Sequence, residues 1–217
     1  EIKTAIVSSI AKRDLMPVIC GAINTDYGAN ILLHDMVKYF SAPGTVTDQF
    51  VGIKVKTDEP VSAAYDVSQP VSAYVFKTIA DPFVGRFSLV KVTDGILKAD
   101  SAVYNANRDA EERIGKLYVL RGKEQIEVNA LYAGDIGAIG KLTNTRTGDT
   151  LSVKGTPVSY AKTDYSVPYT YMKYRVKNKG DEDKVSQALA RMTAEDVTLK
   201  AVNDSENRQL SLIHISE

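Results

Sequence analysis

Apolar residues near the start of the chain recur at helical spacing. Ile2, Ile6 and Ile10 fall at i, i+4 and i+8, which predicts a helix running to about Lys12. "LMPVIC", residues 15–20, is a continuous apolar run of the kind a strand shows when both its faces are buried in a parallel sheet. "GAINTDYG" reads as a loop. "ANILLHDMVKYF" is amphipathic, with Ile31, Leu32, Met36 and Phe40 on one side, and Ser41-Ala42-Pro43 stops it. One buried strand and two helices do not cover both faces of a sheet. Residues 1–43 are therefore expected to be the end of a larger α/β domain, in a chain cut at its front.

Residues 44–69 are polar and irregular and read as a linker, with "GIKVKT" as a short strand. From 70 to 158 the helical period disappears. Short β-type runs ("SAYVFKTI", "RFSLVKV", "SAVYNA", "ERIGKLYVL", "QIEVNAL", "IGAIGKL") alternate with turn signals. The signals are Asp81-Pro82, Asp94-Gly95, Asn107-Arg108-Asp109, Arg121-Gly122, Ala133-Gly134-Asp135 and Thr147-Gly148-Asp149. Many short strands at this spacing predict an all-β sandwich or closed barrel. The run from Phe87 to Val92 changes phase: Phe87 and Leu89 share one face, Val90 and Val92 the other. That predicts a barrel strand whose outer face is covered by a neighbouring domain, and a bulge between Leu89 and Val90. Asp94-Gly95 reads as a hairpin turn.

Residues 169–210 change pattern again. "YMKYRVK" alternates as a strand does, and "GDEDKVSQALARMTAED" is helical. Asp181 suits the N-cap, Glu182 and Asp183 suit the first turn, and Val185, Leu189 and Met192 form the stripe to be buried. "VTLKAV" is a second strand, followed by a turn from Asn203 to Asn207. Strand, helix, strand and turn open an α+β, ferredoxin-like split βαβ unit. The closing string "LSLIHISE" is similar to a translated sequencing adapter, so residues 211–217 are expected to be a non-native tail. The alternative is a short apolar strand containing His214.

The formal net charge is zero, so no global field draws the chain to nucleic acid, and such binding needs a local patch. The single cysteine excludes an internal disulfide framework. No apolar run is long enough to span a bilayer. His34 lies on the polar side of its helix, and Cys20 is expected to be a buried small hydrophobe. Neither G-x-x-x-x-G-K-[ST] nor a zinc spacing occurs, and "GDEDK" is explained by capping, so no catalytic or metal-binding residue is assigned. Basic residues of the middle region are Lys77, Arg86, Lys91, Arg113, Lys116, Arg121 and Lys123. They form either one positive barrel edge that grips phosphates or solvated charges balanced by nearby carboxylates.

"CGAINTDYGANILLHDMVKYFSAP" resembles the end of the G domain of elongation factor G. The stretch from Ser72 to Leu151 resembles that family's second domain. The motif positions are Lys77-Thr78, Asp81-Pro82, Gly85-Arg86, Gly95, Gly115, Ala133-Gly134-Asp135-Ile136 and Thr147-Gly148-Asp149-Thr150-Leu151. "KGDEDKVSQALARMTAEDVTLK" with Asn207-Arg208-Gln209 resembles the start of its third domain. The resemblance implies a mixed fold: an α/β tail of a G domain, an all-β barrel, then the start of an α+β ferredoxin-like domain. It implies a cytoplasmic, monomeric, ribosome-binding GTPase with no membrane association. Its partners would be small-subunit ribosomal RNA and decoding-side protein, and GTP or GDP with Mg would be bound by the intact parent. Gly21, Ala22 and Ile23 match the guanine-contacting loop, although Ala22 and Ile23 replace the family's Ser-Ala. The phosphate loop, switches and catalytic histidine are not among these residues, so the chain is not expected to bind nucleotide tightly or hydrolyse it. A tetracycline ribosomal protection protein shares this plan. A stand-alone RNA- or protein-binding barrel is the alternative without an enzyme parent.

Overall fold

The computed structural model describes residues 1–45, 50–81, 85–165, 170–174, 176, 179–204 and 209–214. Pro82 of the Asp81-Pro82 turn, Asn207 and Arg208, and residues 215–217 of the tail lie outside the described residues. Two units partition the chain, residues 1–49 and 50–217.

The first unit holds α1 (Ile2–Ala11) and α2 (Ala29–Tyr39), as the 3.6-residue period predicts. The strand expected at residues 15–20 does not form. A strand leaves its N–H and C=O groups unpaired unless a neighbour takes them, and no strand pairs with this run among the described residues. Leu15, Met16 and Val18 are accordingly 41, 87 and 88% exposed, and Cys20 is exposed rather than buried. His34 is exposed, with Nδ1 3.5 Å from Asp35.

The second unit begins with β1 (Val51–Lys54) and β2 (Pro60–Ser62). The long pair β3 (Ser72–Asp81) and β4 (Gly85–Asp94) follows. Then come β5 (Ile96–Lys98), β6 (Ala102–Asn105), β7 (Ala110–Arg113), β8 (Leu117–Arg121) and β9 (Glu124–Val128). β10 (Ala130–Tyr132), β11 (Ile136–Gly140), β12 (Thr150–Ser152) and β13 (Val158–Tyr160) complete the β region. Eight strands run antiparallel in the order β7-β6-β12-β3-β4-β11-β8-β9, with β10-β5 as a separate ribbon. The sheet curls on itself. One apolar core takes Val75 from β3, Val90 and Val92 from β4, Leu97 from β5, Ile139 from β11 and Leu151 from β12. This is the helix-free barrel that the short runs predict.

β4 is buried on both faces. Val90 and Val92 enter the core, while Phe87 is buried against Tyr118, ring centroids 5.4 Å apart and near-perpendicular. Lys91 lies beneath two rings, 5.3 Å from the Tyr65 centroid and 6.0 Å from that of Phe50. The cover over Lys91 thus comes from residues 50–65, inside the stretch expected to be a linker. There β1 pairs with β2 and with β13, and Phe50 packs on Tyr74 and Tyr160. The bulge forms at the expected level but on the partner strand: Val75 faces Val90 and Lys77 faces Leu89, leaving Phe76 as the extra residue of β3.

Asp94-Gly95 is a corner, not a hairpin, since β4 pairs with β3 and β11 while β5 pairs with β10. Gly95 has φ 70°, and a Cβ there would sit 2.6 Å from Gln69 O. The Asp94 carboxylate accepts N–H bonds from Ala64 at 3.1 Å and Asp66 at 3.3 Å, and lies in a buried set with Ser72, Thr93 and Tyr160. Burial pushes the Tyr160 phenol up from its ordinary value, against the opposing hydrogen bonds of Ser72 and Thr93.

Two Gly-Asp pairs make equivalent corners. Gly134 N–H donates to Val92 O at 2.7 Å, and Val92 N–H to Asp135 O at 2.9 Å. Gly148 N–H donates to Val75 O at 2.7 Å, and Val75 N–H to Asp149 O at 2.9 Å. Both glycines have positive φ, 96° and 89°, which lets the chain turn into β11 and β12 against the central pair.

Beyond the barrel come β14 (Thr170–Tyr174), α3 (Glu182–Glu195), β15 (Lys200–Asp204) and β16 (Gln209–His214). Their sheet order is β14-β16-β15 with β16 antiparallel to both neighbours, the arrangement of a split βαβ unit. The string "LSLIH" therefore supplies the middle strand. Val185 and Leu189 of α3 are half-buried and Met192 is 43% exposed, so the stripe expected to be buried is only partly covered.

A truncated chain of residues 50–162 is expected to melt cooperatively. One of residues 66–158, lacking Phe50, β1, β2 and Tyr160, is expected to melt about 5 °C lower or more, followed by circular dichroism. Equal melting temperatures would mean that residues 50–65 add nothing. Gly148→Ala should cost about 1–2 kcal/mol from backbone strain alone, because its Cβ would meet only ordinary contacts, 3.7 Å from the Lys162 side chain. Gly95→Ala should cost clearly more in urea denaturation, and equal costs would contradict the close approach to Gln69.

Candidate nucleic-acid interface

In the first unit, the loop of Gly21, Ala22 and Ile23 is pinched shut. Ala22 N–H donates to Tyr27 O at 2.9 Å and Tyr27 N–H to Ala22 O at 3.1 Å. Gly28, at φ 85°, begins α2, and a Cβ on it would lie 2.8 Å from Cys20 O and 3.0 Å from Gly21 Cα. Those contacts explain both glycines of "CGAINTDYG". The bond to Tyr27 O takes up the Ala22 N–H inside the loop.

The basic residues of the barrel do not gather on one edge. Arg86 Nη2 donates to Leu142 O at 2.6 Å and Thr143 O at 3.0 Å, so it ties β4 to the segment after β11. Lys91 is covered by the Phe50 and Tyr65 rings. Lys116 Nζ is 2.7 Å from Glu127 across the β8–β9 hairpin, and this bond raises its pKa. Arg121 Nη2 is 2.6 Å from Glu124 at the hairpin tip. Lys77 lines a shallow cleft with Glu195 and Asp196 at the end of α3. Arg113 and Lys123 are exposed and form no ion pair among the described residues. The arrangement is closer to balanced, solvated charge than to a continuous positive edge.

The densest polar chemistry lies elsewhere, around two buried carboxylates. Glu112 accepts from the N–H groups of Thr143, Asn144 and Thr145, at 3.2, 2.6 and 2.8 Å, and from Thr145 Oγ1 at 2.9 Å. Asp149 Oδ2 accepts from Asn105 Nδ2 at 3.1 Å, Arg108 Nε at 3.0 Å and Arg146 N–H at 2.9 Å. Asp149 Oδ1, fully buried, has no hydrogen-bond partner among the described residues, but Lys162 Nζ stands 3.6 Å away. Together the two carboxylates fix the backbone of residues 143–149 and bring Arg108, Arg146 and Lys162 to one place. Of these, the sequence singled out Arg108 only as part of a turn, and left Arg146 and Lys162 aside. The "TGD" string after two threonines was the available signal.

An antiparallel β-barrel is thus followed by a split βαβ sheet. Residues 70–154 match the family model for elongation factor G domain 2, and residues 166–217 match that for elongation factor G, domain III. A crystal structure of a protein from Thermus thermophilus shares the fold with a TM-score of 0.75 at 23% identity, over 100% of this chain and 30% of that one. The chain belongs to the elongation factor G-like family of translation factors. It spans about 30% of the length of the Thermus protein it resembles.

Arg108→Gln is expected to destabilise the barrel by about 2–3 kcal/mol, because it leaves a buried carboxylate short of a cation. Chemical denaturation of the full chain checks this, and a loss below about 0.5 kcal/mol would show that Asp149 does not depend on the pair.

Proposed function

We propose that this chain is the ribosome-docking portion of an elongation factor G-like translational GTPase, in which GTP hydrolysis drives translocation or a related ribosomal step. The observation that carries the reading is the order of the two family matches, second domain then third, on one chain. The barrel lies against small-subunit ribosomal RNA, and the split βαβ unit bears on the decoding-side surface of RNA and protein. The protein works in the cytoplasm, as a monomer.

Guanine nucleotide with Mg belongs to the parent enzyme. The residues here fit only one edge of that ligand. Gly21, Ala22 and Ile23 supply a loop for the base, with the Ala22 N–H already engaged by Tyr27 O. The sequence holds no phosphate-binding motif, and no cluster of metal-ligating side chains occurs among the described residues. No step of hydrolysis is assigned to these residues.

The full chain should co-sediment with isolated small ribosomal subunits at low salt and be released as salt rises. It should bind GDP and GTP weakly or not at all by titration calorimetry. Tight nucleotide binding would refute the reading that these residues supply only one edge of the nucleotide site. Failure to co-sediment at any salt would refute ribosome docking.

A further inference from the structure

We infer that the cavity between β2, β13 and the start of β3 binds a small primary alkylamine, with its ammonium group on Asp94 and its hydrocarbon against three valines. The cavity has a volume of about 330 Å³. That is the lower end of the range for ligand pockets, about 300–1,000 Å³, so the ligand is small. Asp94, Ser72 and Tyr160 form the floor, only 7, 3 and 2% exposed.

The floor has fewer hydrogens than acceptors. Thr93 Oγ1 donates to Ser72 O at 2.9 Å. Its one hydrogen is then placed, so in the 2.7 Å contact between Ser72 Oγ and Thr93 Oγ1 it is Ser72 that donates. Ser72 has no second hydrogen, so it accepts in its 3.0 Å contact with the Tyr160 hydroxyl. These bonds use every hydroxyl hydrogen of Thr93, Ser72 and Tyr160. Asp94 Oδ2 is left with the longest contacts of the set, 3.3 Å to Ser72 Oγ and 3.4 Å to the Tyr160 hydroxyl, and no hydrogen for either. Only Oδ1 is answered, by the N–H groups of Ala64 and Asp66.

No cation among the described residues pairs with Asp94. Lys54 also lines the cavity, but its Nζ faces Glu59 at 3.0 Å. The other buried acids are better served. Glu112 accepts bonds at 2.6, 2.8 and 2.9 Å from residues 144 and 145, and Asp149 is paired with Arg108 at 3.0 Å. A buried carboxylate oxygen with neither a donor nor a counter-charge is costly. A ligand that brings both to the cavity relieves that cost.

The chemistry of the ligand follows from this floor. Oδ2 calls for a positively charged donor, and the Ser72 and Tyr160 hydroxyl oxygens each keep a lone pair for a further hydrogen. An ammonium brings three hydrogens on one atom, which an alcohol does not. A divalent metal ion needs several oxygen ligands of its own and finds a single carboxylate here. The walls include Val61, Val71 and Val158, half-buried and uncharged, so the rest of the ligand is hydrocarbon. Val61 sits on β2, the edge strand of the small sheet β13-β1-β2, outside the apolar core of the barrel. A larger side chain there closes the cavity and leaves the core alone.

The test titrates the full chain with n-butylammonium chloride at constant ionic strength and reads the methyl NMR signals of Val61, Val71 and Val158. Saturable shifts with a dissociation constant of about 1 mM are expected, the scale for so small a ligand. 1-Butanol should bind about tenfold more weakly or less, and butyrate should give no saturable shift. Val61→Phe should melt as the unaltered chain does and lose the response at Val71 and Val158. Should that variant fail to fold, the comparison of the three ligands on the unaltered chain still decides. No saturable shift with butylammonium, equal binding of 1-butanol, an equal response to potassium chloride, or full binding by folded Val61→Phe would each overturn the assignment. Binding of Nα-acetyl-lysine methylamide about tenfold tighter than butylammonium would overturn a free amine in favour of a lysine side chain of another protein.

Discussion

Asp149 has no surface open to water, yet four groups from separate parts of the chain converge on it. Asn105 comes from the end of β6, Arg108 from the following turn, Arg146 from the loop before β12 and Lys162 from beyond β13. A buried charge is tolerated only when hydrogen bonds and opposite charge replace its hydration. The requirement works in both directions. The carboxylate needs these partners, and the loop of residues 143–149, whose own backbone bond is the turn from Asp149 N–H to Arg146 O, takes its shape from Asp149 and Glu112. The corner at Gly148 then lets β12 enter beside β3.

The same economy governs the central pair of strands. β3 and β4 carry the longest ladder in the molecule, and each is met by a Gly-Asp corner, through Val75 and Val92. The Phe76 bulge lets β3 bend while β4 alternates from Phe87 to Val92, with Val90 and Val92 inward and Phe87 and Lys91 outward, before a second irregularity at Thr93. An outward cation survives there because Phe50 and Tyr65 offer ring faces in place of water.

Much of this was legible in the sequence. The barrel announced itself through strand-length runs and turn residues, and α1, α2 and α3 through their period. Other parts were hidden for physical reasons. Phe50, Ile53, Val61 and Tyr65 stand too far apart for a period to emerge, so a stretch that builds a small sheet read as a linker. The run at residues 15–20 read as a buried strand because hydrophobicity reports what a segment wants to bury, not whether a partner strand is present. Glu112 and Asp149 were invisible because a buried acid and a solvated one are the same letter, and their partners lie far away in the chain. For the same reason, lysines and arginines counted in sequence could not be sorted into Arg86, which braces two carbonyls, Lys116, which faces a glutamate, and Lys162, which shares an aspartate.

Glu195 closes α3, and its carboxylate accepts the N–H of Ala80 on β3. A negative charge at that end of a helix opposes the partial charge of the last carbonyls. The bond to Ala80 offsets the conflict only while the helix lies against the barrel. The final turn of α3 is thus held in part by its seat on β3, a helix end whose charge is answered by the sheet and not by its own sequence.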